Sequence, residues 1–309
     1  MSKLVAIIGA TGLQGGSVLK TLYASGKYRI RAITRNPDSD SAKALAEKYP
    51  GIELAQADLD DLVSLQRAFE DADIVFGMTD WNADIIARNR KGDLDAEYKQ
   101  GKNIVDAAIN ASVKTLVLSV LDSLSKQSKG KYSDVTLFET KYKAGEYLLS
   151  NSDKIDGFTI CLGAYMDNFI RAARISSEDS HTIEFWFPVE PTLRVPLIDT
   201  ANDTGPVVEY ILDHPEECRG KVQDVSCGYY EIQDMINAFT EATGKPARYV
   251  KIPYDSIPLP EVVQMYKCIE EFGSFCNRTE FIERNKKMGH KFTTPVEYWK
   301  NRGWTGPTQ

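Results

Sequence analysis

The stretch Ile7–Val18, IIGATGLQGGSV, constrains this chain more than any other. Five mostly apolar residues, Leu4 to Ile8, read as a buried strand running into a glycine turn, and a helix opens at Leu13–Gln14. Gly9, Gly12 and Gly15 are spaced G-x-x-G-x-x-G, a compacted variant of the dinucleotide fingerprint. Gly9 allows the sharp turn after the strand, Gly12 lets backbone approach a pyrophosphate, and Gly15 lets the helix lie close on the sheet. The helix N-terminus then offers N–H groups and a partial positive charge to the phosphates. A glycine triplet can also be no more than a turn. The strand before it and the helix after it select nucleotide binding.

The bulk numbers exclude several alternatives. With 309 residues the chain can bury a large core in one or two domains, and 26% charged with 42% hydrophobic residues is ordinary for a globular protein. A formal charge of −7 argues against a direct nucleic-acid partner, which wants a basic stripe. Five cysteines without a CxxC pair suggest reduced thiols, hence a cytoplasmic and also nuclear-compatible location. The first strand starts at Leu4, leaving no room for a secretory signal, and no apolar run reaches membrane-spanning length. No membrane partner is expected. Three histidines, His181, His214 and His290, have no partner at i+3 or i+4, so no metal site is expected.

Strands and helices then alternate. Tyr28–Thr34, Ile52–Ala57, Asp73–Met78, Lys114–Ser119 and Gly157–Leu162 read as strands; Ser39–Tyr49, Leu62–Phe69, Asp93–Ala111 and Phe138–Ser150 read as helices. Six such cycles predict an α/β fold with a doubly wound parallel sheet over residues 1–162. A smaller C-terminal α/β region should occupy 163–309, with about 196–215 returning to the first domain. In that region Phe185–Pro188 and Leu193–Leu197 read as strands, and Asp199–Leu212, Gln233–Thr243, Glu261–Phe272 and Thr294–Trp299 as helices.

Positions at strand ends carry the chemistry. About 20 residues past the glycine turn, where an NAD site wants an acid, stands Arg35. A guanidinium there suits a 2′-phosphate, so NADP(H) is the expected cofactor, although an arginine before a turn is also a common surface residue. Asp58, just past the third strand, can bond an adenine amino group, whereas Asp60 and Asp61 fit helix capping. Thr79-Asp80-Trp81-Asn82 follows the fourth strand and either lines the cofactor pocket or forms a mobile surface loop with the polar run Asp84–Asp95.

These motifs resemble those of the NmrA-like family of atypical short-chain dehydrogenase/reductases. GATGLQGGSV, ITRNP, ADLDD, the Thr79–Trp81 loop, YKQGKN at Tyr98–Asn103, FETKYKAGEYL at Phe138–Leu148 and VPLIDTANDTGPVV at Val195–Val208 carry the likeness over most of the chain. It implies an N-terminal Rossmann domain, NADP(H) preference, and cofactor contacts at Gly9, Thr11, Gly12, Leu13, Gln14, Arg35, Asp58 and Thr79, to which the glycine turn adds Gly15 and the strand-end loop adds Trp81. It further implies Lys141 beside the nicotinamide ribose, the one candidate catalytic residue, and Tyr165 and Asn168 in a loop at the nicotinamide end. Many short-chain reductases place a tyrosine one helical turn before that lysine, as the proton donor. Here that position is Leu137, and neither Tyr132 nor Tyr142 replaces it. Two functions are therefore expected. One is a redox-sensing regulator with a protein partner; the other is an NADPH-dependent reductase of a small planar quinone, enone or imine. The aromatic residues Trp81, Tyr165, Phe169, Phe185 and Trp186 suit either a planar substrate or a core. A homodimer is compatible with both functions.

Overall fold

In the computed structural model, which describes residues 2–307, the apolar run near the start forms β1 (Lys3–Ile8), buried over its last five residues. There follow α1 (Leu13–Ser25), β2 (Tyr28–Thr34), α2 (Asp40–Lys48), β3 (Glu53–Gln56), α3 (Leu62–Ala68), β4 (Ile74–Gly77) and α4 (Ala83–Arg90). Next are α5 (Ala96–Asn110), β5 (Thr115–Val120), α6 (Leu124–Gln127), α7 (Thr136–Ser150) and β6 (Asp156–Leu162). The second half holds β7 (Ala164–Tyr165), α8 (Asp167–Ala172), β8 (Ala173–Ile175), β9 (Ile183–Phe187), β10 (Arg194–Ile198), α9 (Thr200–Asp213) and α10 (Pro215–Cys218). It closes with β11 (Val222–Val225), β12 (Gly228–Glu231), α11 (Ile232–Thr243), β13 (Ala247–Lys251), α12 (Pro260–Phe272), α13 (Glu280–Lys287) and α14 (Pro295–Arg302).

Seven strands form one sheet in the order β11-β6-β5-β4-β1-β2-β3, and every pair from β3 to β6 is parallel. This is the Rossmann-type α/β sheet that the alternation of strands and helices predicts. The order reverses at β1, which has β2 on one side and β4 on the other, and in open α/β sheets such a reversal is where a crevice for ligands lies, beyond the carboxyl ends of the strands. Two three-stranded sheets, β12-β10-β7 and β13-β9-β8, lie outside it. Among the described residues no helix is long and apolar enough to cross a membrane.

The described residues cluster into two compact units. One runs from β1 to Ser123 and adds Thr136–Cys161 and Thr204–Gln223; the other joins Leu124–Val135, Leu162–Asp203 and the chain from Asp224 onward. The first unit packs Val75, Leu116, Leu118, Ile104, Ala107 and Leu148 into a core between sheet and helices. The second is built on aromatic contacts: Phe185 lies 5.4 Å from Phe239, and Phe239 lies 5.2 Å from Trp299, whose indole N–H donates to the Met235 carbonyl. Phe169 and Phe185 belong to this core, while Trp186, on the other face of β9, is 40% exposed and donates to Glu184. The aromatic residues of the sequence thus divide between core and surface.

Several elements go beyond the sequence reading, among them α8, α10, α13 and β11–β13, and the stretch between β4 and α5 departs from it. The polar run after Trp81 contains a helix, α4, whose Asn82 side chain caps Asp84 and Ile85, with Asp84 in the first turn and Arg88 and Arg90 in the last. The long helix expected from Asp93 starts later, at Ala96.

Candidate cofactor site

The turn after β1 is shaped by two glycines. Gly9 has φ +69°, a left-handed conformation that side chains resist, and a Cβ there would meet Met78 Sδ at 2.9 Å. A Cβ on Gly15 would lie 2.4 Å from the Gly9 carbonyl oxygen, so no larger residue fits against this turn. Gly12 caps α1 in extended backbone and, as a glycine, has no side chain to cap it. Leu13, Gln14 and Gly15 make up the first turn of α1, and Thr11 is exposed on the loop before it. An uncapped helix N-terminus behind a bare backbone cradle fits a pyrophosphate.

Beyond β2 and β3 lies a cleft of about 530 Å³ lined by Arg35, Gln56, Asp58, Ser64 and Arg67 among others. The Gln56 amide donates to the Arg35 carbonyl, leaving the guanidinium exposed. Among the described residues, neither the Arg35 nor the Arg67 guanidinium is within ion-pair distance of a carboxylate. Asp58 is exposed at the rim, where its side chain accepts from the Asp60 amide. Asp61 caps α3 through the Val63 and Ser64 amides, as its position predicts. Asp60 instead holds Arg88 of α4 and Gln100 of α5, at 2.9 Å each.

Past the end of β4 lies a hydrogen-bonded group of largely buried polar side chains. Thr79, 6% exposed, receives two bonds from the Lys141 ammonium, one to its carbonyl at 3.0 Å and one to its hydroxyl at 2.8 Å. Lys141 also pairs with Glu97 Oε1, which accepts from the Thr79 hydroxyl at 2.9 Å. Glu97 Oε2 accepts from Thr140 at 2.7 Å, and the Glu97 side chain is 1% exposed. Close packing of α5 and α7 makes this possible: a Cβ on Gly101 would come within 2.5 Å of Ala144 Cβ. One turn earlier on each helix stand Glu97 and Thr140, and the same closeness brings them together. Trp81, two residues past Thr79, has an indole N–H shielded from solvent and without a partner among the described residues.

Where a proton donor would stand one turn before Lys141, α7 presents Leu137. Tyr132 lies in the other unit, with its hydroxyl on Glu271. Ser123, beyond the end of β5, donates to Glu139 of α7 at 2.8 Å. Tyr165 ends β7, paired with Ile198 of β10, and Asn168 is exposed on α8. Both belong to the second unit.

Glu97 and Arg67 are absent from the sequence reading. A glutamate on an amphipathic helix and an arginine in a helix's last turn both read as solvated charges. The hint for Glu97 was its place one turn before the glycine of YKQGKN, and only the packing of α5 on α7 gives that place meaning.

The NmrA-like family profile matches residues 1–299. The NmrA-like family domain-containing oxidoreductase lnbB of Aspergillus flavus is 30% identical over 270 residues, 81% of this chain and 76% of its own. NmrA, a negative transcriptional regulator solved in complex with NAD and with NADP, superposes with a TM-score of 0.77 at 20% identity, over 97% of this chain and 94% of that one. The NADPH-dependent quinone oxidoreductase QOR2 of Escherichia coli, solved with NADPH, gives a TM-score of 0.69 at 21% identity, over 97% of this chain and 99% of its own.

Proposed function

Because the chain belongs to the NmrA-like family, we propose that it binds NADP(H) beyond the carboxyl ends of β1 and β4 and acts as a redox-sensing regulator. In this reading the backbone around Gly9, Thr11 and Gly12, with the first-turn amides of Leu13, Gln14 and Gly15, holds the pyrophosphate. Arg35, with Arg67 across the cleft, takes the 2′-phosphate, and Asp58 takes the adenine amino group. Thr79 and Trp81 line the pocket further along, and Lys141 orients the nicotinamide ribose. When bound, the nicotinamide supplies redox chemistry that the side chains alone do not have.

The observation that carries the regulator reading is Leu137. In this reading the residues that hold the cofactor include a lysine that lacks a phenol one turn away, which favours holding the cofactor over moving a proton to a substrate. A second reading, NADPH-dependent reduction of a small quinone, enone or imine, draws its support from relatives that carry oxidoreductase names. Ser123 with Glu139 would then be the first candidates for proton transfer. The test is NADPH titration followed by NADPH consumption over a panel of quinones, enones and imines. Micromolar or tighter binding without turnover is expected. Sustained turnover of any member would replace the regulator reading with the reductase.

A further inference from the structure

The ammonium of Lys141 has three protons and three acceptors, the Thr79 carbonyl, the Thr79 hydroxyl and Glu97 Oε1, so in the proposed complex a ribose hydroxyl gains a proton only in exchange for one of the two Thr79 contacts. Glu97 is equally committed, with Oε1 accepting from Lys141 and Thr79 and Oε2 from Thr140. The Lys141 and Glu97 side chains are 13% and 1% exposed, so little water screens them. A lone charge in such a place acts strongly on its surroundings, whereas a matched pair acts weakly. The two forms of the expected cofactor differ in that respect. The nicotinamide ring of NADP+ carries a positive charge and that of NADPH carries none.

We propose that Glu97 sets the balance between oxidised and reduced cofactor, by cancelling the charge of Lys141 beside the nicotinamide. This rests on the reading above that Lys141 serves the nicotinamide ribose. Glu97 touches no cofactor atom in this scheme and is a positioning residue: it fixes where the ammonium points and neutralises it. With the pair intact, the oxidised ring meets no net charge and the two forms bind with similar affinity. Without the carboxylate the ring faces an uncompensated cation; without the ammonium it faces an uncompensated anion.

The experiment is the ratio of dissociation constants for NADP+ and NADPH, with 2′,5′-ADP, which has no nicotinamide, as a control ligand. Glu97→Gln should raise the ratio about tenfold toward NADPH. Lys141→Met weakens both forms by losing the ribose contact but should move the ratio the opposite way. The double variant should return it close to the wild-type value. Binding of 2′,5′-ADP should be unchanged throughout. If Glu97→Gln does not fold, Lys141→Met alone carries the test, because loss of a shared ribose contact cannot favour one redox form. A ratio that stays put in the variants that fold, or that moves the same way in both single variants, overturns the inference while leaving cofactor binding intact. Failure of the wild type to bind both 2′,5′-ADP and NADPH would overturn the cofactor reading and this inference with it.

Discussion

A guanidinium keeps its charge at any pH the protein meets, so the worth of Arg35 depends on what stands opposite it. Among the described residues no carboxylate is within ion-pair distance of it, and the side chain borders a cleft it shares with Asp58, Asp61 and Arg67. A charged hydrogen-bonded contact is worth about 1.5–3 kcal/mol, which makes NADPH at least tenfold tighter than NADH in the proposed site. Arg35→Ala should remove most of that gap and leave NADH titration nearly unchanged; equal affinities in the wild type would dismiss the assignment. Arg35 could be read from the sequence because its meaning comes from its distance to the glycine turn. The glycines were legible for a related reason, since a backbone that must pass within van der Waals distance of itself tolerates nothing larger. Glu97 was not legible. Its role depends on two residues 18 and 44 positions away in the chain, Thr79 and Lys141, and no local pattern encodes those meetings.

Elements add constraints that single residues lack. The contact between α5 and α7 depends on Gly101 lying against Ala144, and it holds Glu97, Thr140 and Lys141 in register. Gly101→Ala forces the helices apart or the methyl into its neighbour, at a cost of about 1–3 kcal/mol. Urea unfolding should show that loss, and NADPH affinity should fall in the same variant; a stability change under about 0.5 kcal/mol would mean the helices have room to spare. Helix α4 shows where periodicity fails as a signal. It carries almost no apolar stripe, and Ile85 is its one buried residue among those described. Its traces in the sequence are the Asn82 cap and the ordering of acid before base along the helix, both weak beside a hydrophobic face.

At the scale of the molecule, regulation needs a part that moves. Among the candidates, α4 is held chiefly by polar contacts, with Arg88 reaching Asp60 and Asp93 and only Ile85 in the core. Such an element opens at low free energy. Hydrogen exchange should find residues 83–90 far less protected than α5 in the apo protein and clearly more protected with NADPH, since Thr79 and Trp81 lead into the helix. Unchanged protection there, with slowed exchange at the glycine turn, would mean that the cofactor binds without being reported, and the reductase reading would gain. The first unit has a further property: it is not contiguous. Residues 204–223 return to it, with the Gly205 amide on the Ser17 hydroxyl of α1 and Lys27 paired to Glu209 and Asp213. A nascent chain therefore cannot finish this unit when β6 has been made. The face of α1 stays uncovered until the ribosome has made roughly another 50 residues, a few seconds to about ten at ordinary elongation rates. During that interval the unit is a client for whatever guards unfinished proteins, and a gene truncated after β6 would yield a product that never leaves that state.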